Sequence, residues 1–177
     1  MALLHHPVYD RTGAVITTAI TNLDIHDIAR SARTFGLAGY FVVTPIDAQR
    51  DLVSRILGHW TEHEGKRHEA LGRVRVVPSL ADARTALPDA YVVATAARAR
   101  RATTPFQVVK TTLESNERPG LVLFGTGWGM TDEVLSSADA LLPPIRSAEA
   151  GEYNHLSVRS AAAIVLDRLF GDRELPR

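Results

Sequence analysis

Leu121-Val122-Leu123-Phe124-Gly125-Thr126-Gly127-Trp128-Gly129-Met130 is an apolar run that passes directly into three alternate glycines. The apolar residues predict a buried strand, and the glycines predict a tight passage into a helix that begins near Thr131. Glycine tolerates positive φ and lets another molecule come close to the backbone, and a helix start just beyond it offers free N–H groups. The stretch therefore reads as a plain strand–helix turn or as a ligand loop at a strand end. Three glycines around a tryptophan exceed what a turn needs, which favours the ligand loop. The spacing is Gly-x-Gly-x-Gly, not the Gly-x-Gly-x-x-Gly of dinucleotide sites, and no Lys-Ser/Thr pair follows, which excludes a P-loop.

Outward from this stretch, strands and helices alternate. Residues 3–9 predict a first strand, with a turn at 10–13 and an extended segment at 15–20. Ile25, Ile28, Ala29 and Ala32 fall at helical spacing within 22–35, and Gly36 is a C-terminal stop. A strand at 39–44 ends at Pro45, and an amphipathic helix follows over 47–60. Further strands are expected at 74–77, 90–95 and 140–142. Further helices are expected at 80–86, from Pro105 to about residue 113, and at 155–170, the last closed by Gly171. Such alternation with Val-rich strands predicts an α/β fold, a mostly parallel sheet with helices on both faces. Ligands in such sheets bind beyond the carboxyl ends of strands, so the loops after Thr95, Phe124 and Leu142 matter most.

The 177 residues suit one domain, 1–177, large enough to bury a core without staples. Cysteine is absent, which rules out disulfides and thiolate metal sites. The formal net charge is zero, so bulk attraction to nucleic acid is excluded while a local basic patch is not. No apolar run approaches the roughly 20 residues of a membrane span, and residues 1–10 are too short and polar for a secretory signal. Cytoplasmic residence and no membrane partner are the expectation.

Three other segments carry chemistry. Tyr91-Val92-Val93-Ala94-Thr95-Ala96-Ala97-Arg98-Ala99-Arg100-Arg101 takes a strand into a hydroxyl, small residues and three arginines, which form either a solvated loop or a contact to RNA phosphates. Gly151-Glu152-Tyr153-Asn154-His155-Leu156-Ser157 leads into the apolar last helix, with Asn154 a candidate N-cap. Thr21 to Arg33 opens a helix with acids at its start, where the macrodipole favours them, and sets Arg30 and Arg33 on one side. His59 and His63 stand four apart but lack the His-Glu-x-x-His order, so no metal is expected.

Taken in order, these segments resemble the three motifs of the SPOUT superfamily, the trefoil-knotted RNA methyltransferases, and more narrowly its stand-alone bacterial members. Asp24 to Gly36 resembles motif one, with Arg30 at the family's arginine and Asp24 at its asparagine. The loop Thr95-Ala96-Ala97-Arg98 is similar to the Thr-Ser-Ala-Arg stretch of some tRNA ribose methyltransferases. Leu121 to Met130 resembles motif two, with Gly127-Trp128-Gly129 in place of Gly-Glu-x-x-Gly. Pro144-Ile145 and Glu152 to Ser157 resemble motif three, with Ser157 where asparagine is common. The resemblance implies a C-terminal trefoil knot, a homodimer, and S-adenosylmethionine bound by Thr95, Ala96, Gly125, Thr126, Gly127, Trp128, Leu142, Pro144, Ile145, His155, Leu156 and Ser157. Arg30 would be catalytic, in holding a phosphate or developing oxyanion, because arginine stays protonated. Asp24 would accept the acceptor's proton, ahead of Asp27, Asp132 and Glu133. Arg33, Arg98, Arg100 and Arg101 would bind the RNA, a tRNA or rRNA that takes the methyl group at a ribose 2′-oxygen or a base nitrogen. The departures at Asp24, Trp128 and Ser157 leave a catalytically inactive knotted RNA-binding protein as an alternative. A Rossmann-like oxidoreductase is disfavoured, since the glycines lack the dinucleotide spacing and lie late in the chain.

Overall fold

A computed structural model describes residues 1–61, 65–98, 101–147 and 154–171. The elements run β1 (Ala2–Leu4), β2 (Val8–Tyr9), β3 (Val15–Ile16), α1 (Asn22–Thr34), β4 (Tyr40–Val43), α2 (Asp47–Thr61), α3 (Lys66–Leu71) and β5 (Val74–Val77). They continue as α4 (Leu80–Thr85), β6 (Tyr91–Ala94), α5 (Phe106–Ser115), β7 (Gly120–Gly125), α6 (Asp132–Ser136), β8 (Ala140–Leu141) and α7 (Val158–Phe170). Six strands form one sheet in the order β5-β4-β1-β7-β6-β8, and every pairing among them is parallel. Residues 121 positions apart in sequence thus meet at the centre, with Leu3 of β1 opposite Phe124 of β7.

The period of two along each strand builds two cores. Leu3, Val42, Val93, Val122 and Phe124 face one side, under α1, α2, α3, α5 and α7. Ala2, Leu4, Phe41, Val43, Leu121 and Leu123 face the other, under α4 and α6. Helix α1 buries Ile25, Ile28, Ala29 and Ala32, as its spacing predicts, and ends where Gly36 takes φ +76°.

Two sequence expectations change. The strand expected over 3–9 is broken: β1 leaves the sheet after Leu4, and Val8–Tyr9 instead pairs antiparallel with Val15–Ile16 in a small hairpin. Pro7 lies in the gap and cannot donate to a ladder. The last helix starts at Val158 and not at His155. Its cap is Ser157, whose hydroxyl accepts from the Ser160 N–H, while Asn154 donates from Nδ2 to the Ile145 carbonyl at 2.9 Å. Gly171 follows that helix in an extended conformation. It is required there by crowding, since a Cβ would stand 2.4 Å from the Asp167 carbonyl.

Candidate active site

The carboxyl ends of β1, β7, β6 and β8 are neighbours, and beyond them lies a cavity of about 940 Å³. Its buried wall comes from Phe124, Met130, Leu135, Leu142 and Val165. Its exposed wall comes from Arg11, Ala97, Arg98, Trp128 and the 154–156 segment. The residues expected around a cofactor all line it except Pro144 and Ser157. Pro143 and Ile145 line it on either side of Pro144.

The glycine loop is packed tightly against its own surroundings. A Cβ on Gly125 would stand 2.6 Å from Met130 Cγ, and one on Gly127 would stand 2.9 Å from the Tyr9 carbonyl, with φ already at +58°. Internal packing therefore accounts for these two glycines, and the ligand argument passes from the glycine pattern to the cavity. Thr126 is pinned as well: its N–H and its hydroxyl both donate to the Leu4 carbonyl, and its oxygen lies 2.6 Å from that of Thr18. Thr18 in turn lies 3.0 Å from His5 Nδ1. Because Thr126 spends its proton on Leu4, Thr18 donates to Thr126 and accepts from His5, which assigns the proton to Nδ1. Burial lowers the His5 pKa to about 4 against a smaller opposing pull from Asp24, so the ring is neutral. Burial, then the Asp24 charge, also pushes the Tyr40 phenol well above its usual range.

Asp24 is buried at the edge of this cavity. It accepts from the Thr21 hydroxyl at 2.6 Å and from Arg159 Nη1 at 2.9 Å. Arg159 Nε lies 3.7 Å from Asp27, so one guanidinium ties the first turn of α7 to two acids of α1. Arg159 lines both the cavity and an open groove of about 650 Å³ between α1 and α7. Arg30 and Ser157 lie in that groove and not in the cavity, and Arg30 donates to Asp27 at 2.6 Å. Sequence reasoning missed Arg159. A lone charge in the first turn of an apolar helix was its available mark.

The remaining arginines divide. Arg98 is exposed and lines the cavity. Arg101 donates to the Leu135 carbonyl at 2.6 Å, and Arg33 is paired with Glu69 of α3 through Nε at 2.7 Å, which holds that carboxyl below its usual range. Arg100 lies outside the described residues, as do His63, Glu152 and Tyr153. No cluster of three metal-ligating side chains occurs among the described residues.

A parallel six-stranded sheet with its cavity beyond β1, β7, β6 and β8 is the architecture of the SPOUT methyltransferase fold. The chain superimposes on TrmJ from Z. mobilis ZM4 with a TM-score of 0.64 at 19% identity, covering 99% of this chain and 70% of that one. It also superimposes on the A. aeolicus TrmH/SpoU tRNA modifying enzyme with a TM-score of 0.59 at 14% identity, covering 89% and 72%. The profile of the family described as SAM-dependent RNA methyltransferase matches residues 1–171, and the chain belongs to that family. The chain is also 46% identical, over 97% of its length, to a tRNA (guanine-N(1)-)-methyltransferase of Nitratidesulfovibrio vulgaris, and 38% identical, over 96% of its length, to an uncharacterized protein of Aquifex aeolicus. It spans 41% of the first of these and 87% of the second.

Proposed function

We propose that this protein transfers a methyl group from S-adenosylmethionine to RNA, with tRNA as the substrate class. The observation that carries the reading is the coincidence of the family match with a cavity lined by the residues expected to hold the cofactor. That cavity fits such a group. Its floor is apolar, its volume lies within the roughly 300–1,000 Å³ of small-molecule sites, and strand-end backbone borders it. The name of the N. vulgaris relative supports tRNA. The guanine-N1 part of that name belongs to a chain of which about three-fifths lies outside the match.

When bound, the cofactor supplies an electrophilic methyl, and the protein's task is to position and desolvate. Thr95, Ala96, Gly125, Thr126, Gly127, Leu142, Ile145, His155 and Leu156 would hold it. Asp24 is the proposed proton acceptor, and to act it must exchange one of its two hydrogen-bond donors for the substrate. Arg30, in the adjoining groove, would hold a phosphate of the RNA, with Arg98 as a second contact. The family resemblance adds a knotted C-terminal segment and a homodimer, and the exposed α1–α7 groove holding Arg30 is the proposed site of closure by the second copy. The six-stranded sheet with both faces covered supports one methyltransferase domain. An RNA substrate supports cytoplasmic residence.

The test is methyl transfer from labelled cofactor into total RNA of a strain lacking the gene, with wild-type RNA as background. Label is expected in the tRNA fraction, and mapping the modified nucleotide then identifies ribose or base as the acceptor. No incorporation, together with RNA binding and no cofactor affinity, would establish the inactive RNA-binding alternative.

A further inference from the structure

Trp128 is the least explained residue of the cavity. It is 55% exposed, lines the cavity, and takes part in no ring or cation contact among the described residues. Yet its backbone is held firmly. The Trp128 N–H donates to the Tyr9 carbonyl at 2.9 Å, the Tyr9 N–H donates to the Gly129 carbonyl at 2.9 Å, and the Tyr9 hydroxyl accepts from the Asp132 N–H at 3.2 Å. The β2–β3 hairpin and the glycine loop are thus laced into one wall. A large apolar ring displayed on a rigid support serves nothing inside the fold.

The hairpin tip is equally rigid. Asp10, which also lines the cavity, accepts from the Thr12 N–H, the Thr12 hydroxyl and the Ala14 N–H, all on Oδ1, so that oxygen is committed to the turn. Arg11, next to it, is exposed, lines the cavity and has no ion-pair partner among the described residues. Arg98 lines the cavity from the β6 loop. Asp132 also lines it, but sits in the first turn of α6, where the helix dipole favours an acid. At about 940 Å³ the cavity stands near the upper end for one small-molecule ligand, which leaves room for a second beside the cofactor.

We infer that Trp128 is the platform on which the acceptor nucleobase of the RNA stacks, with Arg11 at the hairpin tip holding an adjacent phosphate. The inference rests on the RNA methyltransferase reading and assigns Trp128 to the nucleic acid and not to the cofactor. Single-stranded or extruded bases are held on aromatic faces, because every base offers a π-face and a duplex hides it. A nearby arginine fork suits the ribose–phosphate that accompanies the base.

The chain has two tryptophans, so Trp60→Phe leaves Trp128 as its single reporter. A randomised RNA heptanucleotide should quench that emission strongly, and S-adenosylhomocysteine should change it little. In transfer assays Trp128→Leu should raise KM for RNA about tenfold with S-adenosylhomocysteine affinity within twofold, and Trp128→Phe should restore KM. Arg11→Ala should weaken RNA binding and lower its salt slope by about one. Quenching by S-adenosylhomocysteine with lost cofactor affinity in Trp128→Leu would overturn the inference in favour of a cofactor wall. A change in sedimentation alone would overturn it in favour of a contact between copies, and an unchanged KM with no quenching would overturn it outright. Absence of methyl transfer by the wild type with quenching by RNA intact would remove the enzyme reading and leave the platform.

Discussion

Asp24 stands where the resemblance expects asparagine, and two donors from different elements hold its carboxylate: the Thr21 hydroxyl and Arg159. Asp24→Asn keeps the size and one acceptor oxygen, so the fold should survive. Methyl transfer should fall at least a hundredfold if the carboxylate takes the proton, with S-adenosylhomocysteine affinity nearly unchanged by calorimetry. An unaltered rate would reduce Asp24 to a tether for α7. His5 makes a second prediction at this scale. Its folded pKa, about 4, lies below the unfolded 6.5, so the unfolded chain binds the proton more readily. The His5 contribution is therefore complete above pH 6.5 and is lost as pH falls toward 4, up to about 3 kcal/mol. Urea midpoints measured from pH 7 to pH 4 should fall along that window, and His5→Gln should flatten the slope. Gly127 at φ +58°, facing the Tyr9 carbonyl, makes the third. Gly127→Ala should cost about 1–3 kcal/mol in denaturant unfolding through strain.

At the scale of elements, the helices were legible where their apolar spacing was strong. Helix α1 has its expected face and its Gly36 stop because both are local properties. The start of α7 was not, because Asn154 and Ser157 are both good N-caps and only the Asn154 bond to the Ile145 carbonyl decides between them. Ser157→Ala should therefore destabilise the chain by about 1 kcal/mol in thermal or urea unfolding, with cofactor affinity within twofold. A large loss of cofactor affinity would return Ser157 to the cofactor site. The hairpin over the cavity was hidden for a different reason. Its strands are two residues each, too short for an alternation to register, and Tyr9 reads equally well as the end of β1.

For the whole molecule, the cofactor should bind the native state alone, because the cavity is assembled from β2, α1, β7, α6 and α7 together with the loops that follow β6 and β8. S-adenosylhomocysteine at a hundred times its Kd should then add about 2.7 kcal/mol to unfolding, read as a shift in Tm. No shift would place the cofactor elsewhere. The alternation of strands and helices, the glycine loop at a strand end and the family likeness all followed from local pattern, since periodicity and turn chemistry are properties of a few adjacent residues. The site did not follow in the same way. Arg159 and Asp24 are 135 residues apart, and Thr18 and Thr126 are 108 apart. The first pair meets because α7 packs on α1, and the second because β7 enters the sheet beside β1. Local periodicity makes a strand apolar without naming its neighbour, so the sheet order, and every side-chain pairing that depends on it, was decided by tertiary packing.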